Sequence, residues 1–596
     1  MSVTSGGDAV QQSVQAGIKT PRVSWARVGA VIGVFVGLAL VAGRFYQVNF
    51  DGIWSREAID QAQIADQIAS GAGYTTRFIR PFNAALIPQE LDYHTEINHA
   101  PIYPHVLAAA FRLRSVSDQV VVWTSLAFLF AALAGAYLLG AILFDWRAGL
   151  LAASALGVNA SVLRIGMGGE QWTMAALWFT ALVIVLALHH RSQPDERVWA
   201  SAARAAAAAV CTVLLYMTHH ILVFAALPVA VYFGLTGPRR KLSLAVYIAA
   251  VFLMAAPWSY RNYQYTGFPI LGVNAWDLMA NTSAYPDDTL YRSTDPEFRR
   301  VSRPVLFPIE YFGAFAQKLL SGAGRMMSAA AGVFGFAVVG FLLVSTLYRF
   351  RSPSANAVRG LMYGMLPLGV ICLALYSAPP DAVFVFAPVC AVFAAEYFML
   401  LLDAKKLHVF YARVLIGCFV LLSAGRTIAP LFWAGADEPD VWKNKPAHDY
   451  CKMLAARNVR YPIYTDAPWI SAYRCKWMSA WVPTTDADFT AMSAVGFPLG
   501  VIMLTPESDN YSSDEIWYVL HKVRMWREYI RDPNDAVRQI LEMARGKIKD
   551  KSLPAKYIQR LKRQFAVSKS LDGFVPQPQD PLLPDDIQVF VRQEGY

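Results

Sequence analysis

Charge is what this 596-residue chain has least of: Asp, Glu, Lys and Arg together make up 16% of it, against 56% hydrophobic residues. A soluble domain carries about 25% charged residues, so the composition excludes a single soluble globular domain. Cysteine is also scarce, with six in all, and four of them, Cys211, Cys372, Cys390 and Cys418, fall in apolar runs. A disulfide-built scaffold is excluded, and those four read as small packing residues. No CxxC pair or His/Cys cluster has zinc-ligand spacing, so no dedicated metal cage is expected. The net charge of +10 does not signal nucleic acid, because the basic residues sit in short connectors between apolar runs.

What is present is a succession of about eleven apolar segments, each near the roughly 20 residues that cross a bilayer. They fall at about 28–47, 118–144, 147–163, 172–190, 203–218, 220–236, 242–258, 326–348, 359–377, 382–402 and 412–432. Alternate connectors are basic: Lys19, Arg22 and Arg27, then Arg147, Arg191 with Arg197 and Arg204, Arg239 to Lys241, Arg349 to Arg359, and Lys405 to Arg413. The positive-inside rule makes these cytoplasmic, which puts the N-terminus in and the C-terminus out. The first span is too long for a signal-peptide core and reads as a retained anchor. The expected protein is a polytopic α-helical membrane protein with a cytoplasmic tail over 1–27, a membrane domain over 28–433 that includes a long outer loop at 48–117, and an extracytoplasmic α/β domain over 434–596.

That last region returns to soluble composition, with strand-like runs RYPIYTD and PLGVIMLT, a helical run DAVRQILEMARGKIKD and a Pro- and Asp-rich tail, SLDGFVPQPQDPLLPDD, read as an extended strap. It holds Cys451 and Cys475. An oxidising compartment permits their pairing, and two buried reduced thiols are the alternative.

The long outer loops should carry the chemistry, since joining two helices needs only a few residues. The first reads SREAIDQAQIADQIASGAGYTTRFIRP and closes with NHAPIYP. A helix over 55–69 puts Glu57, Gln61, Ile64 and Ile68 on one stripe, Asp60 beside it and Asp66 on the opposite, solvated face. Glu57 is then either a carboxylate with a job or a helix N-terminal acid behind a Ser55 cap. Gly71 and Gly73 end the helix. Arg77 and Arg80 are either phosphate contacts or cations at the headgroup boundary.

The order of these residues resembles the polyprenyl-phosphate-sugar-dependent transferases of the GT-C superfamily, of the protein mannosyltransferase and aminoarabinose transferase type. The resemblance rests on Glu57, Ile64, Ala65, Gly71, Gly73, Tyr74, Asn98, Pro101, Tyr103 and Pro104 in the first loop. Glu170 in RIGMGGEQWTMAALWF carries it further, as do Pro257, Trp258, Arg261, Asn262, Gly267 and Pro269 in PWSYRNYQYTGFP. It covers the membrane domain in order and fades beyond, where only YTDAPWISAYRCKW matches. Four departures accompany it: Arg56-Glu57 stands where the family has Asp-Glu, Gln61 where it has an aromatic residue, His99 where it has lysine, and Asp381-Ala382 where the tenth span commonly starts Arg-Tyr.

What the resemblance implies is an inverting displacement on the outer face of the cytoplasmic membrane, with a polyprenyl-phosphate sugar as donor and a lipid, protein or glycan as acceptor. Glu57 would take the acceptor proton, Glu170 would assist, and Asp60 is the reserve base. Arg261 would meet the phosphate, helped by His99. His219 and His220 are either phosphate-facing or boundary residues, Trp258 either belongs to the site or to an aromatic belt, and snorkelling would also explain Arg261. Asn98, Tyr103 and Asn262 would shape the site. No cofactor is required, although paired acids could hold a divalent cation. Two other classes stay open: a non-catalytic or polymer-ligase envelope-assembly protein, and a secondary transporter, which would place its ionisable groups near the bilayer midplane.

Overall fold

The computed structural model describes residues 25–424, apart from 54, 88–93, 192–196, 287 and 406, then 462–504 apart from 498–499, and the strands at 574–576 and 588–592. Cys451, the helical run at 535–550 and most of the tail lie outside the described residues, and with Cys451 lies the question of its pairing with Cys475.

Among the described residues seven helices are long and apolar enough to cross a membrane: Trp25–Asn49, Asp118–Leu143, Trp172–His190, Val198–Thr218, Arg240–Thr266, Pro353–Leu375 and Pro380–Ala404. Two shorter apolar helices, His220–Leu235 and Val409–Ala424, fall where spans were expected. The protein is an integral membrane protein on these grounds. Two expected spans are not single straight helices. The 147–163 segment breaks into Trp146–Gly157 and Ala160–Gly168, bent by 70°, because Asn159 stops one helix and caps the next, its Oδ1 accepting from Ser161 N at 2.8 Å.

The segment expected at 326–348 begins earlier, as Phe312–Phe334, and turns by 110° into Phe336–Leu347. Gly335 makes that corner with φ of 87° and no room for a side chain, since a Cβ would lie 2.9 Å from the Ser423 carbonyl oxygen. Lys318 and Arg325 lower the apolarity of the early turns, which hid them from the sequence reading. Lys318 is nonetheless buried, with its ammonium donating to the Asp277 and Ala280 carbonyls.

A six-stranded sheet crosses the boundary between the expected domains. Its order is Phe78–Ile79, Ser479–Trp481, Ile463–Thr465, Val501–Leu504, Gln588–Arg592 and Phe574–Pro576. The first four are parallel and the last two antiparallel. Its first strand comes from the long loop after the first span, with Phe78 in register with Ser479. Part of the tail expected as a strap supplies the far edge. Helices Pro468–Arg474 and Asp486–Ala494 connect the parallel strands, the α/β pattern that alternating apolar runs predict.

Side chains tie these regions together. Arg474 forks onto Asp118 at the start of the second span, and Arg292 Nε donates to the Val482 carbonyl at 2.8 Å. Asp488 accepts from Thr294 N at 2.6 Å and from Thr485 Oγ1 at 2.7 Å. The first loop, the segment around 272–294 and the 462–504 region therefore form one packed cap beside the helices.

Candidate functional site

The Arg56–Ala69 helix runs as its pattern foretold, with Ser55 as N-cap accepting from Ala58 N. Its burial differs from the expected single stripe: every residue from Ala58 to Ile68 is buried, because protein surrounds it on all sides. Asp66, read as solvated, is 4% exposed and pairs with Arg77 at 2.7 Å.

A cavity of about 350 Å³ opens beside the start of this helix. It is lined by Glu57, Asp60, Arg80, Asn98, His99, Glu170, His219 and His220, so eight of the residues singled out in the sequence converge there. Asp60 is its anchor. This fully buried carboxylate takes Arg80 Nη2 at 2.5 Å, His99 Nε2 at 2.8 Å and Gln63 Nε2 at 3.0 Å. Burial opposes its ionisation, but Arg80 and then His99 outweigh burial and hold its pKa down.

His99 is positioned by its own backbone, whose N–H donates to Glu96 Oε1 at 2.9 Å. Its ring bridges two acids, since Nδ1 also lies 3.4 Å from Glu57 Oε1. Burial disfavours its charge, yet Asp60 and Glu57 together push its pKa well above the ordinary histidine value. Both acids favour its protonated form.

Glu57 keeps 35% of its side chain accessible and lines the cavity. Its Oε1 accepts from Gln61 Nε2 and Gln171 Nε2, each at 3.0 Å. Partial burial alone would raise its pKa, and the His99 charge reverses that to about 2. Glu170 has the opposite fate. Ser55 Oγ donates to its Oε1, but among the described residues no cation pairs with it, and burial lifts it to about 7. The turn that delivers it depends on Gly169 at φ 76°, where a Cβ would meet Val121 at 2.8 Å. The Tyr103 hydroxyl fixes that turn by donating to the Gly169 carbonyl at 2.6 Å.

Other expected site residues stand back from the cavity. Arg77 is spent on Asp66. Arg261 is stacked among Tyr74, Trp258 and Tyr265, with its carbon 5.3, 4.6 and 5.1 Å from their ring centres. Its Nη2 donates to the Glu96 carbonyl at 2.5 Å, so it supports the turn that carries His99. Trp258 Nε1 donates to His220 Nε2 at 2.9 Å, and the buried Asn262 packs under Gly272. Among the described residues no group of three or more His, Cys, Asp or Glu is arranged to hold a metal ion.

The sequence reading missed much of the lining. Gln171 was unmarked although it follows Glu170. Asn274, Asp277, Asn281, Asp288, Tyr291 and Tyr376 also face the cavity, and most come from a loop with no periodicity to reveal its inward side. Arg56, noted only as a departure, reaches the cavity as well. It pairs with Asp288 at 2.8 Å and lies over the rings of Trp469 and Trp481 at 4.7 and 4.2 Å. Three of the four non-glycine residues with left-handed backbone among the described residues, Asn281, Asp288 and Ser377, line the cavity; strain of this kind gathers at functional sites.

No protein-family model and no curated protein matches the chain. Solved structures do. The oligosaccharyltransferase AglB of Archaeoglobus fulgidus, in complex with an inhibitory peptide and a dolichol-phosphate, superposes with a TM-score of 0.54 at 13% identity, over 96% of this chain and 89% of that one. ArnT of Cupriavidus metallidurans bound to undecaprenyl phosphate gives 0.50 at 14% identity, over 81% of this chain and 94% of that one. The chain shares the fold of these two solved membrane proteins.

Proposed function

We propose that this protein is a glycosyltransferase that moves a sugar from a polyprenyl-phosphate-linked donor to an acceptor hydroxyl or amide at the outer face of the cytoplasmic membrane, by one inverting displacement. The observation that carries this reading is the cavity itself, which joins two carboxylates of opposite protonation behaviour to buried donors that lack partners, in a fold whose solved members include complexes with dolichol and undecaprenyl phosphate. Among the described residues Arg80 Nη1 and His219 Nδ1 are buried without a hydrogen-bond partner, which suits Arg80, and His219 in the tautomer protonated at Nδ1, to the oxygens of a departing phosphate.

In the proposed step the acceptor oxygen or nitrogen forms a bond to the anomeric carbon as the bond to the phosphate oxygen breaks. The phosphate leaves with that electron pair, and the acceptor proton passes to a carboxylate. A general base works best with a pKa near the working pH. Glu170, at about 7, meets that condition. Glu57, at about 2, stays ionised and steadies the positive charge that develops at the anomeric carbon. This division moves the proton from Glu57, the base expected from sequence, to Glu170. Asp60 holds His99 and Arg80 in place, and the acceptor is a lipid, protein or glycan on the same face.

The test is transfer of labelled sugar from polyprenyl-phosphate donors in nanodiscs, comparing wild type with Glu57→Gln and Glu170→Gln at matched folding. Both variants should lose turnover, by about 10²-fold or more for Glu170→Gln. Full activity in both would place the chemistry elsewhere.

A further inference from the structure

Resting on the transferase reading, we propose that Asp277, Asn281 and Asp288 form the subsite for the transferred sugar, accepting its hydroxyl hydrogens and selecting a neutral, hydroxyl-rich ring over a uronic one.

The first support is the pairing of charges around the cavity. Arg80 and His99 are taken by Asp60, with His99 shared by Glu57, and Arg56 is taken by Asp288. Asp277 has no cation on its carboxylate among the described residues. The nearby Lys318 ammonium donates to backbone carbonyls instead. Its side-chain partners are neutral: the Tyr291 hydroxyl donates to Oδ1 at 2.5 Å, and Tyr376 hydrogen-bonds the same carboxyl group. Burial raises its pKa accordingly.

The second support is independent of these acids. Gln61 is 2% exposed and lines the same cavity, yet among the described residues its Oε1 has no hydrogen-bond partner. A buried carbonyl oxygen without a donor costs free energy unless a ligand supplies one. Hydroxyl groups of a sugar are such donors. The acceptor-rich lining, with Asn281 and Asp288 held in left-handed backbone, fits a ring that offers several hydroxyls at once. A carboxylate on that ring would be a third acid beside Asp277 and Glu170, while Arg80 is held by Asp60 and, in the proposed step, by the departing phosphate, so the lining disfavours it.

The experiment uses the full-length protein in nanodiscs and a ten-carbon prenyl phosphate, bare or carrying glucose, mannose, galactose, arabinose or glucuronate, with dissociation constants measured for each. At least one neutral sugar should bind about tenfold tighter than bare prenyl phosphate, which corresponds to one or two good hydrogen bonds. That gain should vanish in Asp277→Ala and shrink in Asn281→Ala, with the affinity for bare prenyl phosphate unchanged. Glucuronate should bind no better than bare prenyl phosphate to wild type and should improve in Asp277→Asn, the charge-removing variant that keeps the shape.

The subsite is overturned if no neutral sugar adds affinity, if Asp277→Asn leaves glucuronate binding where it was, or if Asp277→Ala weakens bare and sugar-bearing phosphate alike. Failure of wild type to bind bare prenyl phosphate is a different result. It removes the transferase reading, and the subsite with it.

Discussion

The Arg56–Ala69 helix and the segment Gly272–Leu278 both deliver carboxyl groups to one cavity, and they treat them oppositely. On the helix, Asp60 receives three donors and Glu57 receives a histidine and two glutamines. On the segment, Asp277 receives the Tyr291 and Tyr376 hydroxyls and, among the described residues, no cation. Glu170, on its own short turn, belongs with Asp277 in this respect. The contrast separates charges that are built into the fold from carboxyl groups left able to exchange a proton or meet a ligand.

The sharpest way to break that contrast is Asp60→Asn. It leaves Arg80 and His99 buried without their counter-charge, so the protein should lose about 3–5 kcal/mol of stability and its transfer activity together. A melting temperature near that of wild type would show that Asp60 is not built in.

Glu170→Gln should behave in the reverse way, losing transfer while its melting temperature holds or rises, because a buried acid without a cation is replaced by a neutral isostere. The pH dependence follows from the same group. Its folded pKa, about 7, lies above its ordinary value of 4.5, so the folded protein holds the proton more tightly, and this group's contribution to stability falls as pH rises from about 4.5 through about 7. Transfer should run the other way, rising about tenfold per unit below pH 7 and levelling above it. A profile with no inflection near 7 would return the proton to another group.

The link between the sheet and the membrane helices predicts a smaller effect. Arg474 forks onto Asp118 with both side chains mostly buried, so Arg474→Ala should cost about 1.5–3 kcal/mol in a chemical denaturation series. Lys476 reaches Asp66 at 3.4 Å but is 54% exposed. Lys476→Ala should cost less than about 1 kcal/mol, and a larger loss would mean that Asp66 depends on it more than on Arg77.

Much of this architecture was legible in the sequence where its cause is local. The spans are runs of apolar residues, the Ser55 cap and the helix after it are fixed by nearest neighbours, and Glu57, Asp60, His99 and Glu170 sit in stretches that resemble one family in order. Burial misled wherever a distant partner decided it. Asp66 looks solvated until Arg77 and Lys476 are placed against it, and Lys318 looks like a reason to start a span later until the Asp277 and Ala280 carbonyls surround it. Arg261, expected at the phosphate, lies among three aromatic rings with Nη2 on the Glu96 carbonyl, contacts that its sequence neighbourhood does not reveal.

By itself the sequence determined that the chain is a helical membrane protein and where its chemistry-bearing loops lie, because hydropathy and helix caps act over a few residues. Only the tertiary structure decided which acids share a cavity and toward which form, charged or neutral, the neighbours of each one bias it. A carboxylate's pKa depends on what lies within a few ångströms of it, and here those neighbours, His99 for Glu57 and Ser55 for Glu170, come from 42 and 115 positions away along the chain.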